Sequence, residues 1–171
     1  MCIRDSVGVT PFLLAAAAAD VDLMRALLDG GADPHIKSRD GSTALMMAAG
    51  VGRIDQREDA QHDANALEAV KLALTLGDDI NAANARGRTA LHGAAGIGAN
   101  GVVQFLVDKG ANLNAKDRRG YTPLGIAAGL APRGGDSASR VYDGTMALLL
   151  KLGAQPLDPR QPRAAEEAEP N

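Results

Sequence analysis

The sequence of 171 residues has few of the residues that build large cores or reactive sites. It contains one cysteine, no tryptophan, two tyrosines and two phenylalanines. So few aromatics argue against one large interdigitated core and favour many small contacts between closely packed elements. No apolar run approaches the roughly 18 residues that a membrane span requires. The formal net charge of −3 gives no reason to expect nucleic acid or an acidic membrane as partner.

The one cysteine lies in an N-terminal segment that we interpret as foreign to the protein. MCIRDS is the translation of ATG TGT ATA AGA GAC AG, which resembles the transposon end used in preparing sequencing libraries. We therefore assign residues 1–6 to an assembly scar and expect the native N-terminus to be missing. Cys2 then carries no information about redox chemistry. The sequence also does not define the cellular compartment, because a targeting signal would lie in the missing N-terminal segment.

A repeated phrase runs through the rest of the chain. Residues 89–114 read TALHGAAGIGANGVVQFLVDKGANLN, with a Thr that suits a helix cap, an Ala-rich run, glycines and then apolar pairs at helical spacing. Related phrases begin at Thr10, Thr43 and Thr122. Thr10 and Thr43 are 33 residues apart, as are Thr89 and Thr122. This is the period of ankyrin repeats.

The chain therefore resembles the ankyrin-repeat proteins, and its phrasing resembles the bacterial ones. The resemblance implies an all-α solenoid of about four helix–turn–helix repeats with short β-hairpin fingers. Two repeats exceed the period, which predicts two polar insertions on the edge away from the fingers. The final segment, rich in Pro, Ala and Glu, is predicted to be a disordered tail. The boundaries are repeats at about 8–40, 41–86, 87–119 and 120–157 within a domain of 7–157, insertions at 54–66 and 132–141, and a tail at 158–171.

The repeat register explains the motifs that otherwise suggest chemistry. Residues 96–101 spell GxGxxG, but a dinucleotide site needs a preceding strand, whereas a helix is predicted here. His92 occupies the position of His in the family phrase TPLH, and the resemblance implies a structural hydrogen-bonding role. We expect no catalytic residue, cofactor or metal. The alternative is an enzyme working through His92, His62 and the carboxylates near His62.

The predicted fingers carry an excess of positive charge. Residues 36–42, 82–88 and 115–121 contain two acidic side chains and seven basic ones, a local charge of +5. This row is either ordinary solvated loop charge or a docking strip for an acidic surface. The acidic residues are Asp40 and Asp117, and the basic ones are Lys37, Arg39, Arg86, Arg88, Lys116, Arg118 and Arg119.

An apolar stripe is predicted on the concave face beside the fingers, at Leu14, Met47, Val51, Ile97, Ile126 and Leu130. Such a stripe suits an extended segment or a helix of a partner. Together the two surfaces predict a monomeric, non-catalytic module that binds a protein with an acidic or apolar surface. The alternative is a regulatory or targeting segment of a larger, truncated enzyme. The residues predicted to contact a partner are Arg39, Met47, Arg86, Arg88, Arg118, Arg119 and Tyr121.

Overall fold

The fold is a stack of helix pairs. The computed structural model describes residues 8–51, 60–131 and 141–156, and within these ranges the chain is helical with no β-strand. Each successive pair of helices forms one repeat, so the predicted all-α fold is confirmed. The helices are α1 (Pro11–Ala18), α2 (Val21–Asp29), α3 (Ala44–Ala48), α4 (Ala60–Thr75), α5 (Ala90–Ile97), α6 (Asn100–Asp108), α7 (Pro123–Ala127) and α8 (Asp143–Lys151).

The helices form two layers. In the first layer α1 packs on α3, α3 on α5 and α5 on α7, and in the second α2 packs on α4, α4 on α6 and α6 on α8. The two helices of each repeat also contact each other. The core therefore runs along the whole stack, and each repeat buries its apolar faces against its neighbours.

Small residues at the centre of the first layer let the helices approach closely. A Cβ added to Gly93 in α5 would lie 2.7 Å from the backbone nitrogen of Val51 and 2.8 Å from the carbonyl oxygen of Ala49. No side chain larger than hydrogen fits there without movement of α5. Seven of the eight paired alanines in these helices are almost fully buried, namely Ala15, Ala16, Ala48, Ala49, Ala94, Ala95 and Ala127, whereas the eighth, Ala128, is half-buried.

A threonine precedes each helix of the first layer, as predicted. Three of these threonines accept a hydrogen bond at Oγ1 from a backbone N–H in the first turn, which would otherwise have no partner. The fourth, Thr89, is engaged by a histidine instead. The three bonds are from Leu13 to Thr10 at 3.2 Å, from Met46 to Thr43 at 3.4 Å and from Gly125 to Thr122 at 3.2 Å.

The first predicted insertion is partly helical. The insertion was predicted at 54–66, whereas α4 begins within it at Ala60 and has 16 residues. Asp63 lies in the first turn of the helix. Residues 54–59 of this insertion and 132–140 of the next lie outside the described residues, as do the assigned scar and the predicted tail.

Candidate docking surface

The three fingers are closed turns of the same construction. In each one a backbone N–H donates to the carbonyl four residues later: Ser38 to Ser42 at 3.0 Å, Asn84 to Arg88 at 3.0 Å and Asp117 to Tyr121 at 2.9 Å. Each turn then has a glycine at positive φ, and these are Gly41, Gly87 and Gly120. The predicted hairpins are thus hydrogen-bonded turns, with no strand in the described part of the chain.

The fingers are joined to one another by backbone hydrogen bonds. Ala85 N–H donates to the carbonyl of Asp40 at 2.7 Å, and Arg118 N–H donates to the carbonyl of Arg86 at 2.9 Å. Asn84 strengthens the first junction, because its side-chain amide donates to Ser42 Oγ at 3.0 Å. The three fingers therefore form one continuous ridge, and side chains on it keep a fixed order.

The side chain that closes each turn lies at one register position, occupied by Ser38, Asn84 and Asp117. Asn84 Oδ1 accepts the N–H groups of Arg86 and Arg88 at 3.0 and 3.1 Å. Asp117 Oδ1 accepts the equivalent pair, from Arg119 and Tyr121, at 2.9 and 3.0 Å. This role was not predicted from the sequence. A signal for it was present, because the three residues stand five positions before Thr43, Thr89 and Thr122.

Both acidic finger residues are used inside the turns. Asp117 is buried while it accepts two backbone hydrogen bonds. Asp40 is half-buried and accepts from the Ser38 hydroxyl and from the Ser42 backbone. Their charges are consequently directed into the fingers instead of toward a partner.

The ionised state of Asp40 is stabilised by these contacts. Partial burial opposes the charged form, but hydrogen bonds from Ser38 and Ser42, together with the nearby positive charge of Arg86, hold the pKa of Asp40 below its ordinary value. Asp40 is thus a carboxylate at neutral pH and stays within the turn as a hydrogen-bond acceptor.

The basic finger residues point outward. Six of the seven are exposed: Lys37, Arg39, Arg86, Lys116, Arg118 and Arg119. Arg88 is the exception, since its side chain is 29% exposed and its Nε lies 3.5 Å from Oδ2 of Asp117. We call the six exposed residues the basic ridge. Four of the predicted contact residues lie on the basic ridge: Arg39, Arg86, Arg118 and Arg119. A fifth, Arg88, forms an ion pair with Asp117 and is not part of the ridge.

Tyr121 and the predicted apolar stripe are largely covered. Tyr121 is only 3% exposed and forms a small core cluster with Ile126 and Ala131. Its side chain is therefore committed to repeat four, and we leave it out of the candidate surface. Val51 and Ile126 are buried, Met47, Ile97 and Leu130 are half-buried, and Leu14 is exposed. Packing from repeat to repeat covers this stripe, as where Ile97 lies against Gly50.

His92 has a structural role, as predicted. It is buried, its Nδ1 accepts the N–H of Thr89 at 3.1 Å, and its Nε2 lies 3.1 Å from the carbonyl oxygen of Tyr121. Because a carbonyl can only accept, Nε2 carries the proton and donates it, while Nδ1 is unprotonated. Both ring nitrogens are thus occupied in joining repeat three to the finger of repeat four, which leaves neither for a substrate.

The remaining motifs show no site geometry. The helix α5 precedes the GxGxxG sequence, and Gly98 ends that helix with φ of 74°. Tyr142 packs on Gly98, so the close approach there is made by a side chain of repeat four. The structure describes His62 only through the backbone of α4. Among the described ranges there is no group of three or more His, Cys, Asp or Glu suited to a metal ion.

Within residues 8–51, 60–131 and 141–156, no helix combines the length and the hydrophobicity needed to cross a bilayer.

Comparison with curated proteins finds relatives that match parts of this sequence. The chain is 32% identical over 165 residues to Ankyrin repeat and SOCS box protein 16 of Mus musculus, covering 92% of this chain and 35% of that protein. It is 31% identical over 114 residues to NF-kappa-B inhibitor alpha of Sus scrofa, and the match covers 63% of this chain and 32% of that protein. It is 42% identical over 45 residues to DNA-binding protein RFXANK of Mus musculus, and the match covers 26% of this chain and 17% of that protein. The chain thus spans about a third or less of these relatives.

Two family descriptions match most of the residues that form the stack. The description "Ankyrin repeats (3 copies)" matches residues 59–156, which is more than half of the chain, and "Ankyrin repeat" matches residues 7–39. These ranges contain α1, α2 and the helices from α4 to α8. Together with the period of 33 residues, the paired helices and the turned fingers, they show that this chain belongs to the ankyrin-repeat family, whose repeats mediate protein–protein interactions.

Proposed function

We propose that this chain is a non-catalytic protein-binding module whose basic ridge docks on an acidic surface of a protein partner. One observation carries the proposal: the two acidic finger residues are turned inward as hydrogen-bond acceptors, while six basic side chains of the same fingers are exposed. The ridge therefore presents positive charge alone in a protein whose net charge is −3. Complementary charge of this kind steers association and selects the partner.

The rigidity of the ridge supports a docking role. The backbone bonds at 2.7 and 2.9 Å between neighbouring fingers hold Arg86, Arg118 and Arg119 in a fixed order. A pre-ordered surface loses less conformational entropy on binding than independent loops do. Arg is also suited to carboxylates, because its guanidinium group donates two parallel hydrogen bonds. Met47, half-buried in α3, supplies an adaptable apolar contact in this proposal.

The test compares two variants with the same change of charge. Arg86→Gln/Arg119→Gln removes two charges from the ridge, and Arg25→Gln/Lys151→Gln removes two exposed charges from the second-layer helices α2 and α8. A partner is recovered by pull-down with the wild-type chain, and its association rate is then measured at several salt concentrations. We expect the ridge variant to associate several-fold more slowly, with a flatter dependence on salt, and the control to follow the wild type.

Two results would remove the proposal. Equal association rates for the ridge variant and the wild type would show that the ridge is ordinary solvated charge. Equal slowing by the ridge variant and the control would show an effect of net charge alone. Circular dichroism of both variants checks that the association rates are compared between folded proteins.

The same surface also suits a regulatory or targeting segment of a larger enzyme. The observation that favours this second candidate is that the chain spans 35% of one relative and 32% of another. The parent reading frame distinguishes the candidates, because an adjoining catalytic domain would be evident from its sequence.

A further inference from the structure

A backbone contact between the second and third fingers brings two arginines together. The N–H of Arg118 donates to the carbonyl of Arg86 at 2.9 Å, so the main chains of these two residues touch. Both side chains are exposed, and so is that of Arg119, the next residue in the chain. We call Arg86, Arg118 and Arg119 the arginine cluster. Its three guanidinium groups start from one junction between fingers.

The backbone bond itself does not require these arginines. The same bond joins the first and second fingers, where the N–H of Ala85 donates to the carbonyl of Asp40 at 2.7 Å. Ala85 stands at the register position of Arg118, and Asp40 stands at that of Arg86. An alanine and an aspartate therefore make the junction equally well, and the paired arginines are left for another purpose.

The arginine cluster is not neutralised within the protein. In the described parts of the chain, none of its three members forms an ion pair with a carboxylate. Neighbouring side chains of like charge destabilise the surface that carries them. Arg88 adds no net charge here because it is paired with Asp117. An anionic ligand would relieve the repulsion that remains.

One carboxylate acts on the cluster from the adjacent finger. Asp40 interacts electrostatically with Arg86, although its oxygens accept hydrogen bonds from Ser38 and Ser42. Three positive charges are thus opposed by one negative charge. The junction keeps an excess of two positive charges for a ligand to balance.

The backbone beneath the cluster is rigid and already hydrogen-bonded. The N–H groups of Arg86 and Arg119 donate to the side chains that close their own turns, at 3.0 and 2.9 Å. Gly87 lies against the third finger so closely that an added Cβ would be 2.9 Å from the backbone nitrogen of Arg118. The guanidinium groups are therefore the donors that face a ligand, and their points of attachment are fixed.

A phosphoryl group matches these donors better than a single carboxylate does. One guanidinium group satisfies a carboxylate through two parallel hydrogen bonds. A phosphorylated serine or threonine carries a charge of about −1.5 to −2 at pH 7 and has three acceptor oxygens. It can accept paired hydrogen bonds from two guanidinium groups at once, and its charge balances the excess at the junction.

We propose that the arginine cluster binds a phosphorylated serine or threonine of a protein partner, so that the partner is recognised by its phosphorylation. This inference rests on the proposed docking of the basic ridge and names the chemistry recognised at its second junction. A protein is favoured over a nucleic acid because the cluster occupies one junction of a chain with a net charge of −3. A nucleic acid presents a continuous row of phosphates and requires a more extensive positive surface.

The test measures the binding of two peptide mixtures to the full chain by fluorescence polarisation. The peptides are random on both sides of two fixed central residues, which are phosphoserine and alanine in the first mixture and two glutamates in the second. The fixed residues thus carry a similar charge in both mixtures. We expect the phosphopeptide mixture to bind at least about tenfold more tightly, because paired hydrogen bonds to one phosphoryl group are added to the attraction between charges.

Two variants with the same change of charge locate the site. Arg86→Gln/Arg118→Gln should abolish the preference for phosphopeptides. Lys37→Gln/Arg39→Gln removes two exposed charges from the first finger and should weaken both mixtures alike, so that their ratio is kept. Arg86→Lys/Arg118→Lys preserves the charge but loses the planar fork, and should lower the preference several-fold. Circular dichroism checks that the variants are folded.

Competition distinguishes the sources of phosphate. Inorganic phosphate should displace the phosphopeptides only at a much higher concentration than unlabelled phosphopeptide does. Vesicles that contain a phosphatidylinositol phosphate, or a single-stranded RNA, should compete less well than the peptide. Stronger competition by either one would assign the site to that ligand and overturn the proposal for a protein partner.

The remaining outcomes separate this inference from the proposed docking function. Equal binding of both mixtures, weakened in both finger variants, would keep the ridge as a surface for acidic proteins and remove the phosphate site. Phosphopeptide preference that survives in Arg86→Gln/Arg118→Gln would show that the cluster is not the site. Absence of phosphopeptide binding to the wild type would also exclude it, while the pull-down with the ridge variant tests the docking function independently.

Discussion

At the scale of single residues, His92 shows how a polar side chain is accommodated inside an alanine-rich core. Its ring bridges the start of α5 and the backbone of Tyr121, so one side chain satisfies the Thr89 N–H and one carbonyl of the next repeat. A buried polar group is tolerated only when it has such partners. The other first-layer helices have Leu13, Met46 and Gly125 at this position and begin with an ordinary threonine cap.

His92 should make the stability of the protein depend on pH. Burial, the largest influence, lowers the pKa of His92 below its ordinary 6.5 and outweighs the Tyr121 carbonyl and the Asp117 carboxylate, which favour the charged form. The unfolded chain therefore binds a proton at a pH where the folded chain does not. It follows that the free energy of unfolding is fully retained above about 6.5 and falls as the pH drops below that value.

The measurement is urea unfolding at a series of pH values for the wild type and for His92→Gln. At pH values above neutral the variant should be less stable by about 1–3 kcal/mol, because buried partners lose their hydrogen bonds. The difference should shrink on acidification, since only the wild type loses stability by protonation at this site. His35→Gln, at an exposed residue, is the control. A constant difference between wild type and His92→Gln at all pH values would show that His92 does not titrate in this way.

At the scale of helices, α3 depends on a residue from the end of its own repeat. Asp78 follows α4, and its Oδ2 accepts the N–H of Leu45, in the first turn of α3, at 2.8 Å. A carboxylate at a helix N-terminus also interacts favourably with the helix dipole. The other repeats have Ala32, Ala111 and Ala154 at the position of Asp78. This difference was visible in the repeat register, but its partner was not, because the two residues are 33 positions apart.

Replacing Gly93 or Gly101 of repeat three by alanine should change the stability of the protein in opposite directions. Gly93→Ala should destabilise the protein by about 1–3 kcal/mol, since the new methyl group meets the backbone of residues 49 and 51. Gly101→Ala, in the first turn of α6, meets nothing within 4 Å and should stabilise by up to about 1 kcal/mol through helix propensity. Thermal and urea unfolding of both variants measure the two effects. Equal effects of the two substitutions would contradict the close contact between α3 and α5.

At the scale of the whole molecule, stability should be highest in the middle of the stack. Repeats two and three each have a neighbour on both sides, whereas repeats one and four have one neighbour in the chain. In a solenoid the energy of each junction is shared by the repeats that form it. Leu14, Leu23 and Leu150 are exposed in the first and last of the four described repeats.

Amide hydrogen exchange followed by mass spectrometry tests this gradient. In dilute protein, α4, α5 and α6 should exchange about tenfold or more slowly than α1, α2 and α8, because opening of an end repeat breaks only one junction. Uniform exchange along the stack at low concentration would show that the four repeats unfold as one unit.

The sequence by itself determined the local elements. A threonine, a short apolar run and a glycine at fixed spacing are sufficient for a cap, a helix and a turn, because each depends on contacts within a few residues. The period of 33 residues then predicted their order, and the helices follow one another in pairs as that order requires. The sequence also placed four exposed arginines, Arg39, Arg86, Arg118 and Arg119, on neighbouring fingers.

Only the tertiary structure decided which side chains face water. Tyr121, Val51 and Ile126 were predicted on an open surface and are buried, because helical periodicity describes one helix and not the repeat stacked beside it. The inward orientation of Asp40 and Asp117, which leaves the basic ridge unbalanced, depends on hydrogen bonds formed when the finger closes. Equal residues at equal register, such as Met24 and Met146, differ in burial because the described residues place a following repeat against Met24 and none against Met146.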